Sequence, residues 1–286
     1  MDSEFDSGTV ELMRANERNW DARTPIHAAS QFYGADGSTP AHWWFAAFEW
    51  DDLGPLADRD LIHLQCHLGT ETIEFARRGA RTVGLDFSGQ AVEHARRIAQ
   101  HHGVDVDYVK SNVYEAKTAL GGRRFDIVYI GKGSLCYLPD LDRWAAVVAE
   151  LLAPGGLAYV VEFHPLLTSM GPKPDPNRQE LVLRNDYLQG RGPVEHDSTH
   201  TYTDGPALPA DAAPVYEWAH GVGEVVTALI NAGLTITRLR ETEQLPWPRF
   251  DRMIRDAQTG WWQLPPTDPH IPLLYALTAT KPNGTG

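Results

Sequence analysis

The sequence predicts an α/β fold, a doubly wound and mostly parallel sheet with helices on both faces. Between residues 61 and 163, short apolar runs of strand length alternate with stretches of helical periodicity, the pattern of strand–helix–strand units joined by right-handed crossovers. The runs are nearly continuous in apolar residues, as expected of strands covered on both faces. Gly79 and the turn Ala153-Pro154-Gly155-Gly156 close two of the helical stretches, where a chain in helical conformation has to turn back.

Residues 1–60 read as a helical or lid segment preceding the sheet. ELMRANERNWDARTP forms one helix, expected to run towards a break at Thr24-Pro25, since proline lacks a backbone donor and restricts the residue before it. From Phe32 to Trp50 the chain is dense in aromatics (Phe32, Tyr33, Trp43, Trp44, Phe45, Phe48, Trp50). That density fits a helix packed on the domain and equally a lid over a small-molecule pocket.

The main domain spans 61–286. LIHLQC (61–66) is its first strand, and a helix from Thr70 to Arg78 follows. RTVGLDF (81–87) is the second strand; Ser88 then caps a helix carrying Ala91, Ala95, Ile98 and Ala99 on one face. VDVDYVKSN (104–112) and FDIVYIG (125–131) are the third and fourth strands. Trp144, Val147, Val148, Leu151 and Leu152 recur at helical spacing before the fifth strand, LAYVVEF (157–163). Residues 164–214 lose periodicity and gain proline and glycine, as an insertion capping the sheet edge would. A helix over 218–233, a strand over 234–242 and a closing edge strand within 270–281 complete the reading.

The 286 residues carry a formal charge of −13 at pH 7, which disfavours a general grip on nucleic acid or on an anionic membrane surface. Two cysteines, Cys66 and Cys136, exclude a disulfide framework. With no secretory h-region in the first twenty residues and no run of about 18 apolar residues, a cytoplasmic protein is expected.

Ligands of such sheets lie beyond the carboxyl ends of the strands. The first strand ends in Gln65-Cys66-His67-Leu68-Gly69, and Asp86 at the tip of the second stands about 20 residues on, the spacing of an acid that binds ribose hydroxyls. A dinucleotide needs glycines where Gln65 and His67 stand, because its pyrophosphate approaches the backbone closely; an NAD-dependent oxidoreductase is therefore disfavoured. S-adenosylmethionine (SAM) carries no phosphate and tolerates a looser turn.

HLQCHLGTETIEFARRGARTVGLDFSGQAVEHAR resembles motifs I and II of the class I SAM-dependent methyltransferases, and more narrowly a bacterial subfamily that writes HLQCHxG where most members write DLGCGxG. WDARTPIH, YEWAHGVGEVVTALINAG and the closing PWPRFDRM, WWQLP and IPLLYALTATK are similar to the same subfamily. The resemblance implies a seven-stranded sheet with an antiparallel final strand. It implies that Gln65, Cys66, His67 and Gly69 lie against the methionine part of SAM, that Asp86 binds the ribose and that Phe87 packs near the adenine. Asn112 meets the adenine amino group, with the Val113 backbone beside it. Gly131, Lys132 and Gly133 flank the methionine and the transferring methyl. Two departures follow: His63 stands where the first strand's acid is expected, and Gln65 and His67 replace glycines, so the loop geometry is expected to differ. Gln65 is a candidate to hydrogen-bond the methionine carboxylate.

The expected activity is methyl transfer to oxygen or nitrogen of a small, apolar or aromatic acceptor. The rival is a SAM-binding or regulatory protein that has lost catalysis. Glu162 and His164 close the fifth strand on one side, and His164 is the first choice as general base. His220, before Gly221, is the second, and His196 and His200 in the insertion rank behind. No tight metal-ligand spacing occurs, so no metal is expected.

Overall fold

The computed structural model describes residues 5–35, 38, 43–171 and 180–283. Six strands of the sheet and four of the helices between them arise from the expected segments: β1 (Asp60–Leu64), α3 (Thr70–Arg77), β2 (Arg81–Asp86), α4 (Gly89–His101), β3 (Asp107–Lys110), β4 (Phe125–Ile130), α6 (Leu141–Leu151), β5 (Leu152–Phe163), α8 (Val222–Asn231) and β8 (Thr235–Thr242); the short α5 (Ala116–Ala119) is added between β3 and β4. With β11 (Leu274–Thr280) they form one seven-stranded sheet of order β3-β2-β1-β4-β5-β11-β8.

Successive residues of a strand point to opposite faces, and the core divides accordingly. Ile62, Leu64, Val128, Ile130 and Val160 pack with Trp144, Val148, Leu151, Val225 and Leu229 of α6 and α8. Leu61, Ile127, Tyr129, Tyr159 and Val161 pack on the other face with Phe45, Phe75, Phe250 and Trp261.

Three expectations are corrected. The helix α1 runs from Ser7 to Ala29 with Pro25 inside it, so the chain does not break at Thr24; the Thr24 hydroxyl donates to the Trp20 carbonyl instead. Residues 270–281 hold an interior strand, not an edge strand: β11 pairs antiparallel with β5 on one side and β8 on the other. Leu274 to Ala279 are buried throughout, whereas Leu239 of β8 is exposed, so β8 is the edge. The fifth strand starts at Leu152, and the Ala153–Gly156 turn is absorbed into it with a register shift against β4.

The aromatic stretch splits between roles. Phe45 and Trp50, the latter on α2 (Ala47–Leu53), join the core with Phe75, while Phe32 and Tyr33 reach the carboxyl end of the sheet. The insertion contributes the short α7 (Pro165–Ser169) and a hairpin of β6 (Val194–Asp197) and β7 (Pro214–Glu217); its residues 172–179 lie outside the described residues. A small hairpin, β9 (Ile254–Arg255) and β10 (Trp262–Gln263), precedes β11. Among the described residues no helix is long and apolar enough to cross a membrane.

Candidate active site

The order β3-β2-β1-β4 reverses direction between β1 and β4, and a crevice opens at such a switch point. The turn after β1 lies there. Gln65, His67 and Gly69 have φ of 55°, 48° and 69°, the left-handed region that glycine enters freely and other residues at about 1–2 kcal/mol each. Gln65 and His67 thus hold left-handed backbone of the kind that glycine enters freely. Neighbouring bonds fix it. Cys66 N–H donates to Leu85 O (3.0 Å), Gly69 N–H to Cys66 O (2.8 Å), and the Gln65 amide to Ser134 O (2.9 Å). Gly69 itself admits no side chain, since a Cβ would run into the Tyr108 hydroxyl. Cys66 is buried, and burial pushes its thiol well up, so it is no nucleophile.

Asp86 is buried at the tip of β2. Its Oδ2 accepts from His67 N–H (2.8 Å) and its Oδ1 from Ser88 N–H (2.9 Å). The carboxylate therefore ties the turn to the next helix and still has lone pairs for a ligand. Burial outweighs these bonds and raises its pKa to about 6. Phe87 is half-buried beside it. Asn112 Oδ1 accepts from Tyr114 N–H (3.1 Å) and so caps the short turn that follows; Val113 is buried.

Helix α1 crosses above these tips. Asp21 accepts from the Ser88 hydroxyl (2.6 Å) and Gln90 N–H (3.1 Å), Glu17 pairs with Lys110 (2.9 Å), and Asn16 and Asn19 bond the backbone of 212–216. From this cover Trp20, His27 and Tyr33 pack on the His67 ring, with centroids 5.0, 5.1 and 5.2 Å away. His27 Nδ1 and His67 Nε2 share a hydrogen bond of 2.9 Å. Burial, with the Arg23 charge, depresses both imidazoles, His27 to about 3, so the pair is neutral. Gln65 Oε1, His67 Nδ1, His27 Nε2 and Trp20 Nε1 are buried with no hydrogen-bond partner among the described residues. Four orphaned polar atoms around one turn are what a bound polar ligand would satisfy.

Beyond β4, Gly131 leaves the room that His63 takes: a Cβ on Gly131 would come within 3.1 Å of His63 Nε2. His63 bonds the Thr72 hydroxyl (2.9 Å), and burial lowers its pKa to about 3. Lys132 lies 3.1 Å from Glu49 Oε1, with 7% of its side chain exposed. Glu49 also accepts from Ala46 N–H and the Tyr129 hydroxyl. Gly133, with φ of 80°, begins a loop whose N–H groups at 133, 134 and 135 all donate to the Glu162 carboxylate, joined by Phe163 N–H. Glu162 thus organises this loop, and it also lines the cavity beyond β4.

His164 is engaged at both ring nitrogens. Its Nδ1 accepts from Leu166 N–H (3.1 Å), capping α7, and its Nε2 faces Glu241 Oε1 (2.9 Å), so both nitrogens are committed. His220 donates from Nε2 to Leu138 O (2.7 Å), and its Nδ1 lies 3.5 Å from Glu224. His200 is exposed. His220 Nδ1 is buried with no hydrogen-bond partner among the described residues. His196 and Glu217, on the adjacent strands β6 and β7, line a cavity of about 100 Å³ with His220, Glu162, Cys136 and Trp218. His196 Nε2 is 3.5 Å from Glu217 Oε2, and Glu217 Oε1 accepts from the Tyr137 hydroxyl (3.3 Å). Among the described residues no group of three or more His, Cys, Asp and Glu is arranged to hold a metal.

Sequence reasoning missed Trp20, His27, Glu49 and Glu217. For α1 a signal existed: Asn16, Asn19, Arg23 and His27 recur at helical spacing and are buried, a polar stripe that marks a helix covering polar groups. Glu217 carried none, since its partner arrives from another strand.

Residues 62–158 match the family described as a methyltransferase domain. A ubiquinone biosynthesis O-methyltransferase of Chelativorans sp. is 32% identical over 117 residues, 41% of this chain and 45% of that protein; the chain thus spans less than half the length of this curated relative. An S-adenosylmethionine-dependent methyltransferase of Clostridium acetobutylicum superposes with a TM-score of 0.56 at 12% identity, covering 87% of this chain and 94% of the other. Another, from Mesorhizobium loti, gives 0.51 at 19% identity, covering 87% and 100%. These structural likenesses establish the fold.

Proposed function

We propose that this protein transfers a methyl group from S-adenosylmethionine to an oxygen or nitrogen of a small molecule held under the insertion. The carrying observation is the turn 65–69: a backbone in glycine-like conformation at the sheet's switch point, covered by α1 and ringed by four unpartnered polar atoms. The match of residues 62–158 to a methyltransferase domain supports the same reading. When bound, SAM supplies a methyl already activated on a sulfonium, so the chain's task is alignment and handling of a proton. Asp86 and the 65–69 turn would hold the nucleoside, and the electron-rich faces of Trp20 and Tyr33 would favour a cation. The name of the O-methyltransferase relative favours an oxygen acceptor.

His196 replaces His164 as the general base in this reading. With Nε2–H towards Glu217, its Nδ1 lone pair takes the acceptor's proton, and the Glu217 carboxylate stabilises the imidazolium formed. The reading is tested by calorimetry with SAM and with S-adenosylhomocysteine; no binding by either ends it. Incubating SAM with a panel of phenols and catechols, followed by mass spectrometry, tests the acceptor class. His196→Ala and Glu217→Gln should then cut turnover, His196→Ala by about 10²–10⁴-fold, without changing S-adenosylhomocysteine affinity.

A further inference from the structure

We propose that the acceptor is an anion, a small hydroxylated carboxylate whose carboxyl group is bound by Arg23 while its hydroxyl meets His196. The inference rests on the methyltransferase reading above and names the substrate class of that site. Arg23 lies on α1 and is 4% exposed. Its Nη2 donates to the Ser198 hydroxyl (2.8 Å), and its Nε–H is buried with no hydrogen-bond partner among the described residues. One face of the guanidinium covers the Trp20 ring, 4.6 Å from the centroid. The groups that feel its charge are two imidazoles and three phenols, those of His27, His67, Tyr33, Tyr137 and Tyr202, and none of them balances it. The chain has 38 acidic residues, yet none of the described ones forms an ion pair with Arg23. A guanidinium stays protonated in a protein, and a buried charge is strongly unfavourable until an anion completes it.

The hairpin of the insertion points that anion towards the acceptor side. Ser198 N–H donates to Ala213 O (2.9 Å), so the pairing of β6 with β7 runs one residue past Asp197. Alternate residues of a strand share a face. Ser198, which Arg23 holds, therefore stands on the same face as His196, and Glu217 of the paired strand joins them there. Two residues of strand separate the Cα atoms of His196 and Ser198 by about 7 Å, a span comparable to one substituted aromatic ring. Tyr137 connects the two ends: its ring meets that of Trp20 at 5.4 Å, beside Arg23, and its hydroxyl donates to Glu217 Oε1 (3.3 Å). Trp20, Tyr33 and Tyr202 supply ring faces for an aromatic body. Tyr202 comes from the insertion, and its hydroxyl bonds that of Tyr33.

The probes are meta-hydroxybenzoate, para-coumarate and caffeate, each beside its primary amide, which has nearly the same shape and no charge. In saturating S-adenosylhomocysteine, at least one carboxylate should raise the melting temperature of the wild type where its amide does not. By calorimetry on the same complex, Arg23→Met should weaken that carboxylate by about 10- to 100-fold, as expected for a hydrogen bond to a charged group. Arg23→Lys should weaken it less, since it keeps the charge and loses the fork. S-adenosylhomocysteine and 5′-methylthioadenosine should bind both variants as they bind the wild type. Ligand-free Arg23→Met should melt no lower than the wild type, because it loses an uncompensated charge; a guanidinium that only pinned Ser198 would leave the variant less stable. Amides that bind as well as carboxylates overturn the assignment, and so does a panel in which no carboxylate raises the melting temperature. A ligand-free variant that melts lower with its carboxylate affinity intact makes Arg23 a structural residue and overturns it too. Weaker S-adenosylhomocysteine with methylthioadenosine unchanged gives the guanidinium to the cofactor's own carboxylate, which also overturns it. Failure of the wild type to bind S-adenosylhomocysteine removes the methyltransferase reading, and this inference with it.

Discussion

Replacing Asp86 with asparagine keeps the volume of the side chain and removes its charge, so it isolates what burying that carboxylate costs. In the folded protein burial lifts the acid from 3.8 to about 6. At about 1.36 kcal/mol per pH unit, that displacement amounts to about 3 kcal/mol. The sign follows from proton uptake. Between pH 4 and 6 the folded state holds a proton on Asp86 that the unfolded chain has already lost, so this group's contribution to stability falls as pH rises through that window. Above pH 6 its penalty is complete, and below about pH 4 it is absent. The amide that replaces it does not titrate, and its weaker bonds to the His67 and Ser88 N–H groups cost the same at every pH. The wild type should therefore gain about 3 kcal/mol over Asp86→Asn between pH 7 and pH 4, about 6–12 °C in relative melting temperature for a chain of this size. Melting curves of both proteins across pH 4 to 7.5 measure it. A melting difference that stays constant, or that moves in the wild type's disfavour on acidification, would refute the placing of a buried, backbone-bonded carboxylate at this tip.

Gly69→Ala should lower stability by about 2–5 kcal/mol, adding left-handed strain to a collision with Tyr108; a melting temperature within 1 °C of wild type would count against the turn as described. His164→Ala removes the cap of α7 and should cost about 1–2 kcal/mol, while S-adenosylhomocysteine affinity by calorimetry stays within about twofold. Glu162→Ala leaves three loop N–H groups without their acceptor and should cost at least about 3 kcal/mol in urea denaturation; a smaller loss would mean that water replaces the carboxylate there.

Some of the site was legible because local chemistry dictates it. The β1 turn, Asp86 at the next strand's tip and the Ser88 cap are all short-range consequences of strand–turn–helix units, and each stands at its expected position in the chain. The histidines were not legible in the same way. His164 stands at a strand end with no neighbour in sequence to mark it as engaged, but its tautomer is decided by Leu166 N–H and by Glu241, the latter 77 residues away. His196 gains its chemical setting only when β6 and β7 bring it to Glu217.

The sequence by itself determined the alternation of strands and helices, the two-faced core and the crevice at the switch point, because hydrophobic periodicity and turn residues act over a few positions. Only the tertiary structure decided that β11 slips between β5 and β8, that α1 closes over the turn, and which partner each histidine meets. Those outcomes depend on hydrogen bonds and packing between segments up to 200 residues apart, and no periodicity within one segment encodes its distant partner.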